Sequence, residues 1–360
     1  MPTPFAIDLR SDTVTQPDDA MRAAMAAAEV GDDVLEGDPT ALRLEARVAE
    51  LLGKQAGVFV SSGTQGNVIA QLAHGTFGKA IITGERTHIQ NYEAGGHAVL
   101  GGAPLALLPE QADGLPDPAA VASRCDVDDP HLARVGLAWS ENTQGGMGGL
   151  PVTAAAMARY RAAVPAHLPL HTDGARLLDA AVALGVDAAT LVADSDSSTL
   201  CLSKGIGCPI GTVLVGSEEF IVEAKRARKL LGGGWRQSGI LAAAGLHVLD
   251  DAGLPGTLHD IAEAHARARV LADALSELPG ARDPYDVSLP FDATDVRTNI
   301  VRFGVGGLGP DVDRDRIIAA LAAEGIGALR YGAGVRLVTH RRLATGDVEQ
   351  VATVLRAHLA

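Results

Sequence analysis

The chain has 360 residues, which is long enough for a large hydrophobic core and for more than one domain. Hydrophobic residues make up 47% of it but aromatic residues only 3%, so we expect a core of Ala, Val, Leu and Ile, with many Ala-rich helices. The formal net charge of -14 argues against nucleic acid or an anionic membrane as the main partner, while a local basic pocket for one phosphate group stays compatible with it.

Two further features bear on localisation. The first residues, from Met1 to Ile7, lack the basic and long apolar parts of a secretory signal peptide, and no run of 18 apolar residues predicts a membrane span. The three cysteines, Cys125, Cys201 and Cys208, show no CxxC spacing and are typical of buried thiols in a reducing compartment. We therefore expect a cytoplasmic protein without a membrane partner.

The N-terminal part predicts an extended polar segment, Ile7–Thr15, followed by two helices. The first helix starts at Pro17, because proline is tolerated in a first turn and the Ala-Met-Arg-Ala-Ala-Met stretch after it favours helix. A loop rich in Gly and Asp comes next. Asp38 is then predicted to cap the second helix, with Pro39 at its first position and Gly53 at its end.

From residue 58 onward, short apolar runs alternate with amphipathic helices such as Val152–Ala163 and Ala175–Leu184. This alternation is typical of a mostly parallel sheet covered by helices on both faces. Pro169 indicates that its own strand is short. The predicted strands are Val58–Val60, Ala80–Ile82, Leu105–Leu108, Val135–Trp139, Leu168–His171 and Thr199–Leu202, with a further apolar run at Thr212–Val215.

The last third of the chain has a different pattern. Long helices are followed, after Pro279-Gly280, by a small α+β unit. We therefore place a domain boundary near residue 250, with the N-terminal segment and a large domain in residues 1–250 and a smaller domain in 251–360. The predicted elements are helices at Glu218–Leu231, Ser238–Asp250, Thr257–Leu278 and Val312–Glu324, and strands at Asn299–Phe303 and Gly334–Val338.

A single lysine, Lys204, stands between two apolar runs, flanked by Ser203 and Gly205. Lysine is strongly hydrated and normally lies on a polar helix face, so this position is unusual for a structural residue. Desolvation lowers the pKa of a lysine, and its amine can then form a Schiff base with a carbonyl compound such as pyridoxal 5′-phosphate (PLP). The alternative is a lysine that simply reaches solvent from a loop.

Two other strand ends carry polar residues. The stretch Ser61–Asn67 follows a predicted strand and opens a helix, whose N-terminus suits a phosphate, although it lacks the lysine of a P-loop. The stretch His171–Arg176 also ends a strand, and its Asp173 could keep a pyridinium nitrogen protonated. The alternatives are an ordinary capped turn and a structural Asp–Arg pair.

The histidines and one glycine motif complete the candidates. His88 and His131 could stack on a cofactor ring or act as bases near neutral pH, or be purely structural. No HExxH motif or Cys/His cluster predicts a metal site. Gly304–Gly309 matches GxGxxG, but Pro310 follows at once and no acidic residue stands at the required distance, so we interpret it as a link between a strand and a helix.

The four signals, a phosphate-binding turn, a histidine, an aspartate and a lysine, each follow a predicted strand, which favours one crevice for one cofactor. With its motifs the sequence resembles the PLP-dependent low-specificity L-threonine aldolases of the β-eliminating lyase group, over nearly the whole chain. The stretches that carry this resemblance are Asp8–Thr15, Val30–Val34, Ser62–Thr64, Glu93–Gly96, Asp173–Arg176, Leu202–Gly205, Gly232–Gln237 and Val335–His340.

The resemblance implies a fold-type-I PLP enzyme, α/β with a mostly parallel sheet, that assembles as a homotetramer with active sites at subunit interfaces. It implies that Lys204 carries the cofactor as a Schiff base and that Asp173 pairs with the pyridinium nitrogen. Gly63 and Thr64 would hold the phosphate, and His88 would stack on the ring.

The resemblance also assigns residues to the substrate. His131 would lie near the β-hydroxyl of the substrate, and Arg176, which also belongs to the cofactor site, would bind the substrate carboxylate. Two departures from the family pattern, Leu35 in place of Tyr and Gln144 in place of His, concern the side of the pocket that meets the aldehyde. The remaining implied residues are Ser11 and Arg336 for the carboxylate, and Lys229 and Arg236 for the active site of a neighbouring subunit.

The implied reaction is the retro-aldol cleavage of L-threonine, L-allo-threonine and related β-hydroxy-α-amino acids to glycine and an aldehyde. The base would be His88, His131 or a water that they orient. One alternative is a PLP-dependent β-eliminating lyase that releases pyruvate and ammonia from a cysteine or aromatic amino acid derivative. Another is a non-catalytic scaffold or PLP-binding module.

Overall fold

The structure of the protein is a computed structural model and describes residues 5–307 and 313–360. The chain divides into two compact units. The large unit consists of residues 16–257, and the small unit combines the segment up to residue 15 with the chain from residue 258 onward. The division thus falls shortly after the expected boundary, and the N-terminal segment belongs to the unit of the C-terminal residues.

The strands of the large unit coincide or overlap with the predicted apolar runs. The strand after Pro169 is short, as expected for a proline that cannot donate to a ladder. In chain order the strands are β1 (Ile7–Asp8), β2 (Ala56–Val60), β3 (Ala80–Gly84), β4 (Leu105–Leu108), β5 (Val135–Glu141), β6 (Leu170–Asp173), β7 (Ser197–Cys201), β8 (Thr212–Gly216), β9 (Ala281–Arg282), β10 (Ile300–Val305), β11 (Ile326–Gly327), β12 (Leu329–Tyr331) and β13 (Gly334–Val338).

The helices begin one or two residues inside several of the predicted starts, because the preceding residue serves as the cap. Asp38, for example, accepts hydrogen bonds from the N–H groups of Thr40 and Ala41, as predicted for this N-cap. The helices are α1 (Asp19–Ala26), α2 (Pro39–Leu51), α3 (Gly63–Ala73), α4 (His88–Asn91), α5 (Gly96–Val99), α6 (Pro118–Cys125), α7 (Ala154–Ala163), α8 (Leu177–Leu184), α9 (Ala188–Leu191), α10 (Glu218–Leu230), α11 (Gly239–Leu249), α12 (Leu254–Ser276), α13 (Arg314–Ala323) and α14 (Thr345–Leu359).

The large unit is built on a seven-stranded sheet in the order β2-β8-β7-β6-β5-β3-β4. Strands β7, β6, β5, β3 and β4 are parallel to one another, and β8 is antiparallel to both β7 and β2. The predicted mostly parallel sheet is therefore confirmed. Because β2 runs in the same direction as β7, the carboxyl ends of β2, β3, β5, β6 and β7 all lie at one edge of the sheet.

Both faces of this sheet are covered. Ile81 and Ile82 are consecutive residues of β3, so their side chains point to opposite faces, and both are fully buried. Ile81 packs in an apolar cluster with Ile69 of α3, whereas Ile82 packs in another cluster with Met157 of α7. A sheet buried on both faces explains why its strands read as continuous apolar runs.

The small unit has its own core and a four-stranded antiparallel sheet in the order β12-β13-β10-β9. The N-terminal strand β1 pairs in parallel with β11, through Ile7 with Ile326 and Asp8 with Gly327. Gly304 and Val305, the start of the GxGxxG match, belong to β10 and pair with β9. Leu308 and Gly309, its last two residues, and Val312, the predicted start of α13, lie outside the described residues.

Among the described residues no helix is both long and apolar enough to span a membrane.

Candidate active site

The first part of the candidate site is the N-terminus of α3, directly after β2. Ser62 caps this helix, because its hydroxyl oxygen accepts a hydrogen bond from the N–H of Gln65 at 3.1 Å. Gly63 and Thr64 occupy the first two helical positions, where backbone N–H groups have no acceptor within the helix. A side-chain Cβ placed on Gly63 would meet only the hydroxyl of Thr212, at 4.0 Å, so space remains next to these donors.

Asp173, the last residue of β6, is buried and held by several donors. Its Oδ1 atom accepts from the N–H of Ala175 at 3.0 Å, and its Oδ2 atom accepts from Nδ2 of Asn67 at 2.7 Å. The hydroxyl of Thr199 lies 3.5 Å from Oδ1. Both oxygens of this buried carboxylate therefore have hydrogen-bond donors.

The amide of Asn67 links Asp173 to a histidine. Its Nδ2 atom also donates to Oε1 of Glu93 at 2.7 Å, and the same oxygen lies 2.8 Å from Nδ1 of His88. We call Asp173, Asn67, Glu93 and His88 the site cluster. Burial by itself lowers the pKa of His88, but the hydrogen bond to Glu93 and the charges of the surrounding carboxylates outweigh it, so the pKa is raised above its ordinary value.

Glu141, at the end of β5, contacts the backbone of His88 in the site cluster. Its carboxylate accepts the backbone N–H of His88 at 2.7 Å and that of Gly145 at 2.7 Å, so it fixes the start of α4. Burial, together with the nearby charge of Asp173, raises the pKa of Glu141 to about 7. Sequence reasoning assigned no role to Asn67, Glu93 or Glu141, although all three lie in or beside stretches that it singled out.

One ligand atom from each of His88, Glu93 and Asp173 lies within 4.8 Å of the other two, a spacing that could suit a metal ion. The amide nitrogen of Asn67, however, donates to both carboxylates. The amide therefore occupies the place between the two carboxylates where a metal ion would bind. The arrangement is therefore a hydrogen-bonded cluster in this structure.

Lys204 lies in the turn between β7 and β8. The turn is closed by hydrogen bonds from the N–H of Leu202 to the carbonyl oxygen of Gly211, at 3.0 Å, and from the N–H of Gly207 to that of Lys204, at 2.9 Å. Gly211 has a φ of +111°, and a Cβ there would lie 2.4 Å from the ring of Phe59, so only glycine fits.

The topology brings these residues to the same edge of the sheet. Gly63 follows β2, His88 follows β3, Glu141 ends β5, Asp173 ends β6 and Lys204 follows β7. In an open α/β sheet the crevice beyond the carboxyl ends of the strands is the usual ligand site. Arg176 lies at the same edge as the N-cap of α8, where its N–H contacts the carbonyl oxygen of Asn142 at 3.4 Å.

The small unit places Ser11 and Arg336 in one region of its own. Ser11 follows β1, and its hydroxyl lies 3.3 Å from the N–H of Thr13. Arg336 lies in β13 and donates from Nη2 to the carbonyl oxygen of Arg10 at 3.1 Å. A guanidinium group and a hydroxyl side chain are thus held by neighbouring positions of the same unit.

The remaining candidates of the large unit are exposed. The side chain of His131 is 89% exposed and pairs with Asp129 at 2.8 Å, with no hydrogen bond to the site cluster in the described part of the chain. Lys229 and Arg236 are also exposed, and Arg236 forms an ion pair with Asp32 at 3.1 Å. In this single chain the structure therefore does not bring these three residues to the site cluster.

The two departures from the family pattern have different environments. Gln144 is buried, and its side chain accepts from the N–H of Gly146 at 2.8 Å and lies 3.4 Å from Glu110, so it supports its own loop. Leu35 is 77% exposed in the loop before α2.

Comparison with known proteins decides the family. The family described as "Beta-eliminating lyase" matches residues 8–296 of the chain. The chain belongs to the β-eliminating lyase family. It is accordingly a lyase, and the cofactor of this family is PLP.

Relatives within this family match almost end to end. A "Probable low-specificity L-threonine aldolase 2" of Arabidopsis thaliana is 40% identical over 350 residues, which cover 96% of this chain and 95% of the relative. A "Low specificity L-threonine aldolase" of Escherichia coli (strain K12) is 39% identical over 361 residues, covering 98% of this chain and 99% of the relative.

Solved structures support the fold. A threonine aldolase of Leishmania major superposes with a TM-score of 0.80 at 19% identity, covering 98% of this chain and all of that one. A serine palmitoyltransferase of Sphingomonas wittichii superposes with a TM-score of 0.71 at 17% identity, covering 98% and 86% of the two chains. The expected PLP fold of type I is therefore confirmed.

The residues of the large unit fit this cofactor. The hydroxyl of Thr212 is buried and has no hydrogen-bond partner in the described part of the chain, and it faces the open space beside Gly63. A buried hydroxyl and the N–H groups at a helix N-terminus are donors that suit a phosphate. A carboxylate fixed by donors at the end of a strand, as at Asp173, suits a protonated pyridine nitrogen.

Proposed function

We propose that the protein cleaves L-threonine, L-allo-threonine and related β-hydroxy-α-amino acids to glycine and an aldehyde. The observation that carries this proposal is the arrangement of Lys204, Asp173 and His88 along one sheet edge, in a chain that matches relatives named as low-specificity L-threonine aldolases over nearly their whole length. When bound, PLP supplies an electron sink for the electron pair left at Cα when the Cα–Cβ bond breaks.

The candidate residues at this edge of the large unit each have a proposed role in this chemistry. Lys204 would attach the cofactor, and Asp173 would accept a hydrogen bond from its protonated pyridine nitrogen. Gly63 and Thr64 hold the phosphate through the N-terminus of α3. Arg176 belongs to the same edge and contributes a cation to the cofactor and the substrate carboxylate.

The proton of the substrate β-hydroxyl has to be removed for the bond to break. His88 would stack on the cofactor ring. Its Nδ1 atom pairs with Glu93 at 2.8 Å, so Nε2 is the ring atom that can exchange a proton with the substrate. We assign this proton transfer to His88, to His131 or to a water that they orient.

The substrate carboxylate is assigned to the arginine and hydroxyl of the small unit, Arg336 and Ser11, together with Arg176. Arginine matches the planar geometry of a carboxylate and binds it with two parallel hydrogen bonds. A fixed carboxylate determines which bond at Cα is aligned for cleavage.

We also propose a homotetramer whose active sites take residues from two subunits. The exposed positions of His131, Lys229 and Arg236 support this, since in such an assembly they can serve a neighbouring site. Leu230, 77% exposed next to Lys229, supplies apolar surface for an interface. Light scattering that gives the mass of one chain for the fully active enzyme would contradict the tetramer.

The three free cysteines, Cys125, Cys201 and Cys208, support a cytoplasmic location, where thiols stay reduced.

The function is tested by adding L-threonine to the purified protein with PLP and measuring glycine and acetaldehyde. We expect both products in equal amounts, and none from the Lys204→Ala variant, which loses the only proposed attachment for the cofactor. Pyruvate and ammonia in place of glycine and acetaldehyde would instead identify a β-eliminating enzyme.

A further inference from the structure

Asn67 has a position in the site that none of the assigned roles explains. It lies on α3 and is 1% exposed. Its Nδ2 atom is 2.7 Å from Oδ2 of Asp173 and 2.7 Å from Oε1 of Glu93. A side-chain amide has two hydrogens, so it can donate one to each carboxylate at the same time.

The donor is needed because of the charges around it. Asp173 and Glu93 are both buried and both carry acidic side chains, with Glu141 close by. Two carboxylates that share a buried site repel each other, and a hydrogen-bond donor placed between them offsets this repulsion. The amide of Asn67 supplies one such hydrogen bond to each and adds no charge of its own.

The location on α3 gives this contact a second effect. Gly63 and Asn67 are four residues apart on one helix, so they lie on the same face, one turn from each other. The same rigid element therefore carries the phosphate-binding N-terminus and the donor for Asp173. Through Glu93, which pairs with His88 at 2.8 Å, it also reaches the imidazole.

We propose that Asn67 is a positioning residue, which holds the carboxylate of Asp173 and, through Glu93, the imidazole of His88 at fixed places around the cofactor ring. The inference rests on the proposed function, because that assigns Asp173 to the pyridine nitrogen and His88 to the ring face. It adds a residue that contacts neither the substrate nor the cofactor but fixes two side chains that do.

Two substitutions test the role of the amide. Asn67→Leu removes both donors at nearly the same volume, and Asn67→Asp keeps the shape but replaces the donors by a third acidic group. The matched control is Gln71→Leu. Gln71 lies one turn further along α3, is fully buried, and makes no side-chain hydrogen bond with the described residues, so its replacement reports the cost of changing a buried amide in this helix.

For Asn67→Leu we expect kcat for L-threonine to fall by about 10- to 100-fold, the range for losing a supporting contact to a catalytic group. KM should stay within about threefold, because the substrate carboxylate is bound elsewhere. The dissociation constant of PLP from the apoenzyme should rise about tenfold, since Asp173 is no longer held.

For Asn67→Asp we expect the acid limb of the kcat/KM profile to move upward by about one pH unit, because an added negative charge favours protonated His88. Gln71→Leu should leave kcat, the PLP dissociation constant and the pH profile unchanged within about twofold or a few tenths of a pH unit.

The proposal is overturned if both Asn67 variants behave like Gln71→Leu in kcat, PLP affinity and pH profile. If Asn67→Leu does not fold, the near-isosteric Asn67→Asp decides by the position of its acid limb. Failure of the proposed function can be told apart from this outcome. If the wild type does not cleave L-threonine, measuring PLP binding still shows whether it is weaker in Asn67→Leu than in Gln71→Leu.

Discussion

Two histidine clusters lie on the same face of the large sheet and have opposite properties. The site cluster pairs His88 with Glu93. In the second, which we call the histidine pair, the rings of His74 and His171 each lie 2.7 Å from the hydroxyl of Ser197. Asp173 and His171 are two residues apart on β6, so their side chains point to the same face.

The difference between the clusters is the presence of carboxylates. Burial lowers the pKa of His74 to about 4 and that of His171 well below its ordinary value, because nothing at hydrogen-bond distance carries a full negative charge. In the site cluster, the bond to Glu93 and nearby charges raise the pKa of His88 despite its burial. On the same face of the sheet, His88 can therefore hold a proton near neutral pH, whereas His74 and His171 stay neutral.

The largest effect on activity is expected from removing the carboxylate charge beside His88. Glu93→Gln takes the charge from the site cluster but leaves an oxygen for Nδ1 of His88, so the pKa of His88 should fall towards that of a buried neutral histidine. We expect kcat to fall by about 100-fold. Steady-state kinetics with L-threonine between pH 5 and 9 measure the change, and an unaltered rate and profile would show that the carboxylate does not control His88.

In the histidine pair the matching substitution should affect stability and leave catalysis unchanged. Ser197→Ala removes the hydroxyl that both rings share and leaves two buried nitrogens without a partner, which costs about 1–3 kcal/mol of the free energy of unfolding. Urea denaturation measures this cost. The kcat for L-threonine should stay within about twofold of the wild type, and a loss as large as that of Glu93→Gln would remove the distinction between the two clusters.

The pH dependence of stability sharpens the comparison further. The folded pKa of His74, about 4, lies below its unfolded value of 6.5, so the unfolded chain binds more protons between these values. Stability is thus fully present above pH 6.5 and is lost as pH falls towards 4, by up to about 1.4 kcal/mol per pH unit for one such group. His74→Gln should lower this slope in urea titrations of the apoenzyme, and an unchanged slope would mean that His74 is charged in the folded protein.

The smallest effect on stability is expected at His131. Like His88 it pairs with a carboxylate, but it lies on the surface. Its Nδ1 atom lies 2.8 Å from a carboxylate oxygen of Asp129, the same distance as in the site cluster, but in water. His131→Asn should leave the free energy of unfolding unchanged within the error of urea denaturation, because solvent screens exposed pairs. A fall in kcat without a change in stability would instead support the proposed role of His131 in proton transfer.

Much of the fold follows from local patterns, whereas the site cluster does not. Apolar runs predict the strands, and Lys204, Asp173 and the α3 turn stand out in the sequence because each lies at or after the end of a predicted strand, and such ends meet at one edge of the sheet. The bond from Asn67 to Asp173 joins residues 106 positions apart. No periodicity encodes such a contact, since it depends on the exact packing of α3 on β6.

The sequence predicts the extended N-terminal segment but, for a related reason, not the unit to which it belongs. Its two-residue strand β1 pairs with β11, more than 300 positions away, and strands this short give no pattern of their own. The pairing of Ile7 with Ile326 places the segment in the small unit, where sequence order had suggested the large one.

The closed turn around Lys204 limits where the gene for this protein can change in length. Its base is fixed by the Leu202–Gly211 hydrogen bond, and Gly211 admits no side chain against Phe59, so an inserted or deleted codon there would displace the lysine. The stretch around His131 is tied instead by bonds of exposed side chains, such as that from Arg134 to Asp128 at 2.7 Å, and contains no glycine that has to lack a side chain. A change of length in the turn after β7 is therefore expected to cost cofactor attachment before it costs the fold.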